Sequence, residues 1–107
     1  MQTRSARCLV VTAALIAAGG ARAQDIASGK HIAQVWCSNC HLVDSENPKV
    51  VSDAVPTFSS IAQTSSTTAV LLAVFLSTPH GRMPDFVLSR RNIRDVSAYI
   101  LSLRKSP

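Results

Sequence analysis

The chain has 107 residues, of which 47% are hydrophobic, and a formal net charge of +5, so it is long enough for one small domain at most. Three of its basic residues, Arg4, Arg7 and Arg22, lie near the N-terminus. The segment from residue 24 onward carries three Lys and five Arg against five Asp and one Glu, a net charge of +2. This small excess excludes a nucleic-acid-binding domain, which requires a strongly basic face.

The first 23 residues have the pattern of an export signal. Two arginines precede the apolar residues 9–18, and Ala21-Arg22-Ala23 has the small residues of a signal-peptidase site. A helix of that apolar length spans only about half of a bilayer's hydrocarbon core, which disfavours the alternative of an uncleaved membrane anchor. We therefore expect a signal peptide over residues 1–23, a mature domain over residues 24–107, and no stable membrane span after cleavage.

The sequence Cys37-Ser38-Asn39-Cys40-His41 has the C-x-x-C-H pattern of covalent c-type haem attachment. On a helix, Cys37 neighbours Cys40 at i, i+3 and His41 at i, i+4. One turn can therefore present two thiols to the two vinyl groups of a porphyrin and an imidazole to its iron. We expect one haem c, bound through thioethers to Cys37 and Cys40, with His41 as an axial ligand.

Two other uses of a C-x-x-C pair have less support. A zinc site needs two further Cys or His ligands at a matching spacing, and the remaining cysteine, Cys8, lies in the predicted signal peptide. A redox-active dithiol of the thioredoxin type would lie in a βαβ pattern, which this sequence lacks. Export to an oxidising compartment agrees with this prediction, because both cysteines would form thioether bonds to haem and not a disulfide.

Residues 25–41 are predicted to form the first helix, capped by Asp25 or Ser28. Gly29 inside it costs about 1 kcal/mol relative to Ala, which close approach of another helix would explain, although a frayed N-terminus is the alternative. Trp36 could pack near the rim of a haem or in the ordinary core.

Loop-forming residues follow from 42 to 55, and Pro56 then begins a short helical turn. A loop that crosses the proximal side of a haem can place a carbonyl on the second ring nitrogen of the ligating histidine, which fixes the imidazole orientation. Pro56 is the candidate acceptor for His41. A further helix is predicted over residues 69–76; it is apolar on most faces and therefore expected to be buried on a core or cofactor.

Met83 is the candidate for the sixth ligand of the haem iron. It is the only methionine besides Met1, and Pro84 favours an extended conformation at Met83, which holds a thioether toward a fixed point. A thioether opposite a histidine raises the haem potential. His80 is a competing ligand that would lower this potential, and a vacant sixth position is a third alternative.

Ser89 can cap a last helix over residues 90–103, whose apolar residues share one face. Tyr99 on this helix is the predicted partner of Gly29. Basic residues lie at both ends of the helix, and they form either a solvated surface or a docking patch for an acidic partner; they are Arg90, Arg91, Arg94, Arg104 and Lys105.

The chain from residue 24 to residue 103 resembles a small bacterial class I c-type cytochrome. The matching pieces follow the family's order; they are Gly29, Cys37 to His41, Val55 to Phe58, Pro79 to Pro84, and Asp95 to Ile100. The resemblance implies an all-α cytochrome c fold of three to four helices around one covalently bound haem. It also implies that the first and last helices pack through Gly29 and Tyr99. A side chain that bonds the haem propionates is not identified, apart from Trp36 or one of the arginines.

The resemblance further implies electron transfer, and the expected function is a periplasmic one-electron carrier that is not an enzyme by itself. Expected partners are periplasmic redox proteins, a dehydrogenase as donor and an oxidase or reductase as acceptor. Two alternatives stay open. One is a haem-based ligand-binding or sensor protein with a weak or open sixth position, and the other is a dedicated cytochrome subunit of a periplasmic oxidoreductase complex.

Overall fold

The computed structural model describes residues 24–46, 54–78, 81, 83 and 86–105. Over these residues the chain forms four α-helices and no strand, which confirms the all-α prediction for this part of the chain. The helices are α1 Ile26–Ile32, α2 Phe58–Gln63, α3 Ala69–Ser77 and α4 Arg90–Ser102. None of the described helices is long and apolar enough to cross a membrane. The predicted signal peptide lies outside the described residues.

The first helix is shorter than predicted, because α-helical hydrogen bonding ends at Ile32 and a π-helical turn, Ala33–Cys37, continues it. The Ser38 hydroxyl donates to the Gln34 carbonyl at 2.6 Å. This bond takes an acceptor that an α-helix would offer to a backbone N–H, so it favours the wider turn. The N–H of His41 still donates to the Cys37 carbonyl at 2.9 Å, so these two residues keep their i, i+4 relation.

Helices α1 and α4 cross closely at Gly29. A Cβ atom at this position would overlap the carbonyl oxygen of Asp95 and lie 2.9 Å from the Cβ of Tyr99. The Tyr99 hydroxyl donates to the carbonyl of Val43 at 2.6 Å, which ties α4 to the chain just after the first helical segment. The interpretation of Gly29 as a helix-crossing residue with Tyr99 as its partner is therefore confirmed.

The core lies where α1, α2 and α3 meet α4, and Val96 of α4 is its most enclosed large side chain, at 1% exposure. Ser89 caps α4 as predicted, because its Oγ accepts from the N–H of Asn92 at 3.0 Å. The buried apolar residues of this core are Ile32, Ala33, Val43, Phe58, Ala62, Leu72, Val96, Tyr99 and Ile100.

Helix α3, which was predicted to be buried on a core or a cofactor, packs on the core of the described residues with one side. Leu72 is 7% exposed, whereas Val70 is 73% exposed and Val74 is 54% exposed. Among the described elements, α3 packs mainly on α4, so it has one covered side and one open side although all its residues before Ser77 are apolar.

Candidate functional site

An apolar cleft opens between the end of the first helical segment, α2, α3 and α4. It holds about 540 Å³ of empty space, including the part that is open to solvent. Its walls are mostly aromatic and aliphatic side chains, namely Trp36, Phe58, Ile61, Leu72, Phe75, Leu76, Phe86, Leu88, Val96 and Ile100. Three of the predicted haem-binding residues, Cys37, His41 and Met83, line the same cleft.

His41 is held in one orientation by the loop that precedes α2. Its Nδ1 lies 2.6 Å from the carbonyl oxygen of Pro56, the acceptor predicted from the sequence, and its ring centre lies 5.4 Å from that of Phe58. A carbonyl oxygen can only accept a hydrogen bond, so Nδ1 carries the proton in this contact. In the neutral imidazole with this tautomer, Nε2 has the lone pair that can bind a metal.

The loop that supplies this acceptor is itself fixed on both sides of Pro56. The N–H of Phe58 donates to the Leu42 carbonyl at 3.0 Å, and Thr57 caps α2 through a bond from the N–H of Ser60 at 3.0 Å. The start of α2 is therefore bound to the residue that follows His41. Two segments of the chain, about fifteen residues apart, therefore hold this imidazole in place.

The two cysteines of the motif have different surroundings. Cys37 is half-buried and lines the cleft, whereas Cys40 is exposed and is not part of the cleft wall. Burial, with a smaller contribution from Cys40, raises the pKa of the Cys37 thiol to about 11. Without haem, the Cys37 sulfur is therefore a protonated thiol at neutral pH, and neither cysteine is in a disulfide.

Of the two competing sixth ligands, the structure describes Met83, which is partly buried and lines the same cleft as His41. His80 and Pro84 lie outside the described residues. Trp36 is 49% exposed and meets Phe86 edge-on, with ring centres 5.6 Å apart. Phe86 was not predicted as a site residue, because it lies in an irregular segment where helical periodicity gives no signal.

A curated relative is similar to nearly the whole chain. Cytochrome c-552 of Bradyrhizobium diazoefficiens is 41% identical over 97 residues, which cover 91% of this chain and 91% of the relative. This chain belongs to the small class I c-type cytochromes. No protein-family model matches the chain, and no solved structure matches it. The relative thus confirms the resemblance to this family that the sequence motifs of the cytochrome indicated.

Family membership implies haem c as the cofactor, and the cleft fits such a group. A haem is a largely apolar plate around an iron that accepts nitrogen and sulfur ligands. The cleft of this cytochrome has apolar walls, an imidazole whose Nε2 is free to bind, a thioether and a thiol. Ligand pockets generally combine such walls with a few polar groups that fix orientation.

Proposed function

We propose that this cytochrome is a periplasmic one-electron carrier, exported by a signal peptide over residues 1–23. In this proposal Cys37 and Cys40 bind one haem c covalently, and His41 and Met83 are the axial ligands of its iron. The observation that carries the proposal is that His41 and Met83 line the same apolar cleft while the Pro56 carbonyl occupies Nδ1 of His41.

When bound, a c-type haem supplies an iron that takes up and releases one electron. The protein would contribute two permanent axial ligands, which leave no coordination position for a substrate or a gas. The Pro56 carbonyl would hold the imidazole in place and increase its basicity as a ligand. The aromatic and aliphatic walls would exclude water. These contributions favour electron transfer over catalysis, so we propose that the chain is not an enzyme by itself.

The proposed partners are periplasmic redox proteins, with a dehydrogenase as donor and an oxidase or reductase as acceptor. Contacts between electron-transfer proteins are small and transient. Arg90, Arg91 and Arg94 are exposed at the start of α4 and could meet an acidic partner surface. Arg104 is not included in this patch, because its guanidinium binds carbonyls of its own chain.

The test is the optical spectrum of the haem-loaded protein, oxidised and reduced, beside the variants Met83→Ala and His80→Ala. The oxidised wild type and His80→Ala should show the weak long-wavelength band that arises from sulfur bound to iron, and Met83→Ala should lack it. The wild type could instead give a low-spin spectrum that lacks this band and that is altered in His80→Ala. That result would identify His80, and not Met83, as the ligand.

The same samples test the alternative functions. A high-spin wild type whose ferrous form binds carbon monoxide rapidly would favour a ligand-binding or sensor protein over a carrier. Co-purification with one partner at high salt would favour a dedicated subunit, because high salt weakens the electrostatic contacts of a free carrier.

A further inference from the structure

Asp95 is a buried carboxylate on α4 that faces the start of α1. Its residue is 3% exposed, and its Oδ1 accepts a hydrogen bond from the backbone N–H of Asp25 at 3.1 Å. Its Oδ2 is also buried and has no hydrogen-bond partner among the described residues. Arg91 approaches this oxygen only to 3.8 Å, through a side chain that is 62% exposed.

Only one of the two carboxylate oxygens of Asp95 therefore accepts a hydrogen bond within the described residues. A buried charge is costly unless it is paired and hydrogen-bonded, and a distance of 3.8 Å is too long for a hydrogen bond. An exposed arginine at that distance contributes little, because solvent screens its charge. Asp95 therefore has the geometry of a site for one more positively charged hydrogen-bond donor.

Cleavage after Ala23 would create such a donor beside Asp95. Water would hydrolyse the bond between Ala23 and Gln24, leaving a carboxylate on Ala23 and an α-ammonium group on Gln24. Asp25, whose N–H already bonds Asp95, is the next residue, and consecutive backbone nitrogens are separated by only about 3–4 Å. Before cleavage the same nitrogen is a neutral amide with one hydrogen.

We propose that Asp95 is the binding site for the α-ammonium group of Gln24 in the mature protein. Removal of the signal peptide then completes the contact between α1 and α4. The proposal rests on the cleavage predicted before Gln24. The position is well suited to this role, because the Gly29 backbone passes directly against the Asp95 backbone and holds the start of α1 in place.

The test compares haem-loaded protein that begins at Gln24 with protein that keeps a Gly-Ser extension before Gln24, each with Asp95 and with Asp95→Asn. Mass spectrometry first establishes the N-terminus. The extension should lower the folding equilibrium constant about tenfold when Asp95 is present, the size expected for a hydrogen bond to a charged group. It should have no effect in Asp95→Asn.

Glu46→Gln is the matched control. Glu46 is an exposed carboxylate whose Oε2 pairs with Lys30 Nζ at 2.9 Å, and that pair uses side chains only. The extension should cost as much in Glu46→Gln as in the wild type. An equal cost in Asp95→Asn, or none in the wild type, would overturn the proposal.

A measurement that does not use Asp95→Asn covers the case in which that variant does not fold. The α-amino group should titrate above its ordinary pKa of about 7.7–8.0 when followed by NMR, because Asp95 stabilises its charged form. The carboxylate of Asp25 and the guanidinium of Arg91 also lie near this group, with opposite effects, so Arg91→Gln and Asp25→Asn are measured beside it. An ordinary value, a mature chain that begins elsewhere, or a Gln24 that has cyclised with loss of ammonia would contradict the proposal.

Discussion

The Nδ1 atom of His41 lies 2.6 Å from the carbonyl oxygen of Pro56, fifteen residues further along the chain. This contact joins the end of the first helical segment to the loop in front of α2. The φ angle of Pro56 is restricted by its ring, and the Thr57 cap begins α2 immediately after it. The acceptor is therefore positioned by a rigid residue.

Replacing this rigid residue by Pro56→Gly should loosen the bond while keeping its carbonyl. We expect the free energy of unfolding to fall by about 0.4–1 kcal/mol, because glycine gains more freedom in the unfolded chain. The Nδ1 proton of His41 should exchange faster in NMR spectra of the haem-loaded protein. Ala54→Gly, in the same loop, is the control. Unchanged exchange in Pro56→Gly would mean that the proline does not position the acceptor.

Gly29→Ala should destabilise the protein, because the new methyl group meets the backbone of Asp95 and the Cβ of Tyr99. Overpacking usually costs about 1–3 kcal/mol, which exceeds the gain of about 1 kcal/mol from better helix propensity. Gly81→Ala is the matched control, because a Cβ there has nothing within 4 Å. Thermal unfolding of both variants measures the difference, and equal melting temperatures would disprove the close crossing.

Tyr99 should make stability decrease at high pH. Burial, with the negative charge of Asp44 as a smaller cause, raises the pKa of Tyr99 above 10.0. The folded state thus keeps the phenol proton at pH values where the unfolded chain has lost it. The resulting stability is fully present below about pH 10 and is lost as the pH rises through the folded pKa.

Tyr99→Phe should remove this part of the decline. At neutral pH it should also cost about 1–3 kcal/mol, because the Val43 carbonyl loses its donor, and this cost should become smaller as the pH rises above about 10. Denaturant unfolding of the haem-loaded proteins at several pH values measures both effects. Lys30 is present in both proteins, and the chief cause of its raised pKa, the hydrogen bond to Glu46, is the same in both; only the smaller contribution from the Tyr99 charge is lost in Tyr99→Phe. Parallel pH curves for the two proteins would contradict this assignment.

Arg104 should be a structural residue. Its Nε donates to the Ala62 carbonyl and one Nη to the Thr67 carbonyl, each at 2.8 Å. We expect Arg104→Gln to lower the free energy of unfolding by about 1–3 kcal/mol, because the carbonyl of fully buried Ala62 loses its partner. Arg94→Gln, an exposed position on α4, should change stability by less than about 0.5 kcal/mol. Equal changes in the free energy of unfolding for the two variants would mean that Arg104 is an ordinary solvated charge.

Much of the local structure could be predicted because short-range chemistry determines it. Ser89 and Asp25 cap helices through bonds to residues three positions later, and the apolar spacing of α4 matches one face of a helix. The C-x-x-C-H motif predicted the cofactor, and the relative confirms the family that it indicated. Pro56 was predicted from a general property of metal-bound histidines, whose second ring nitrogen usually bonds an acceptor such as a loop carbonyl.

The amino-acid sequence by itself determined the family and the helical class and named the residues proposed to hold a haem, since all of these depend on residue type and local spacing. Only the tertiary structure decided which apolar side of α3 is covered, that Arg104 binds carbonyls of α2 and the following turn, and that one oxygen of Asp95 is left without a hydrogen bond. These features depend on contacts between residues that are dozens of positions apart. Such contacts follow from how the helices pack, and composition or periodicity within one helix does not specify them.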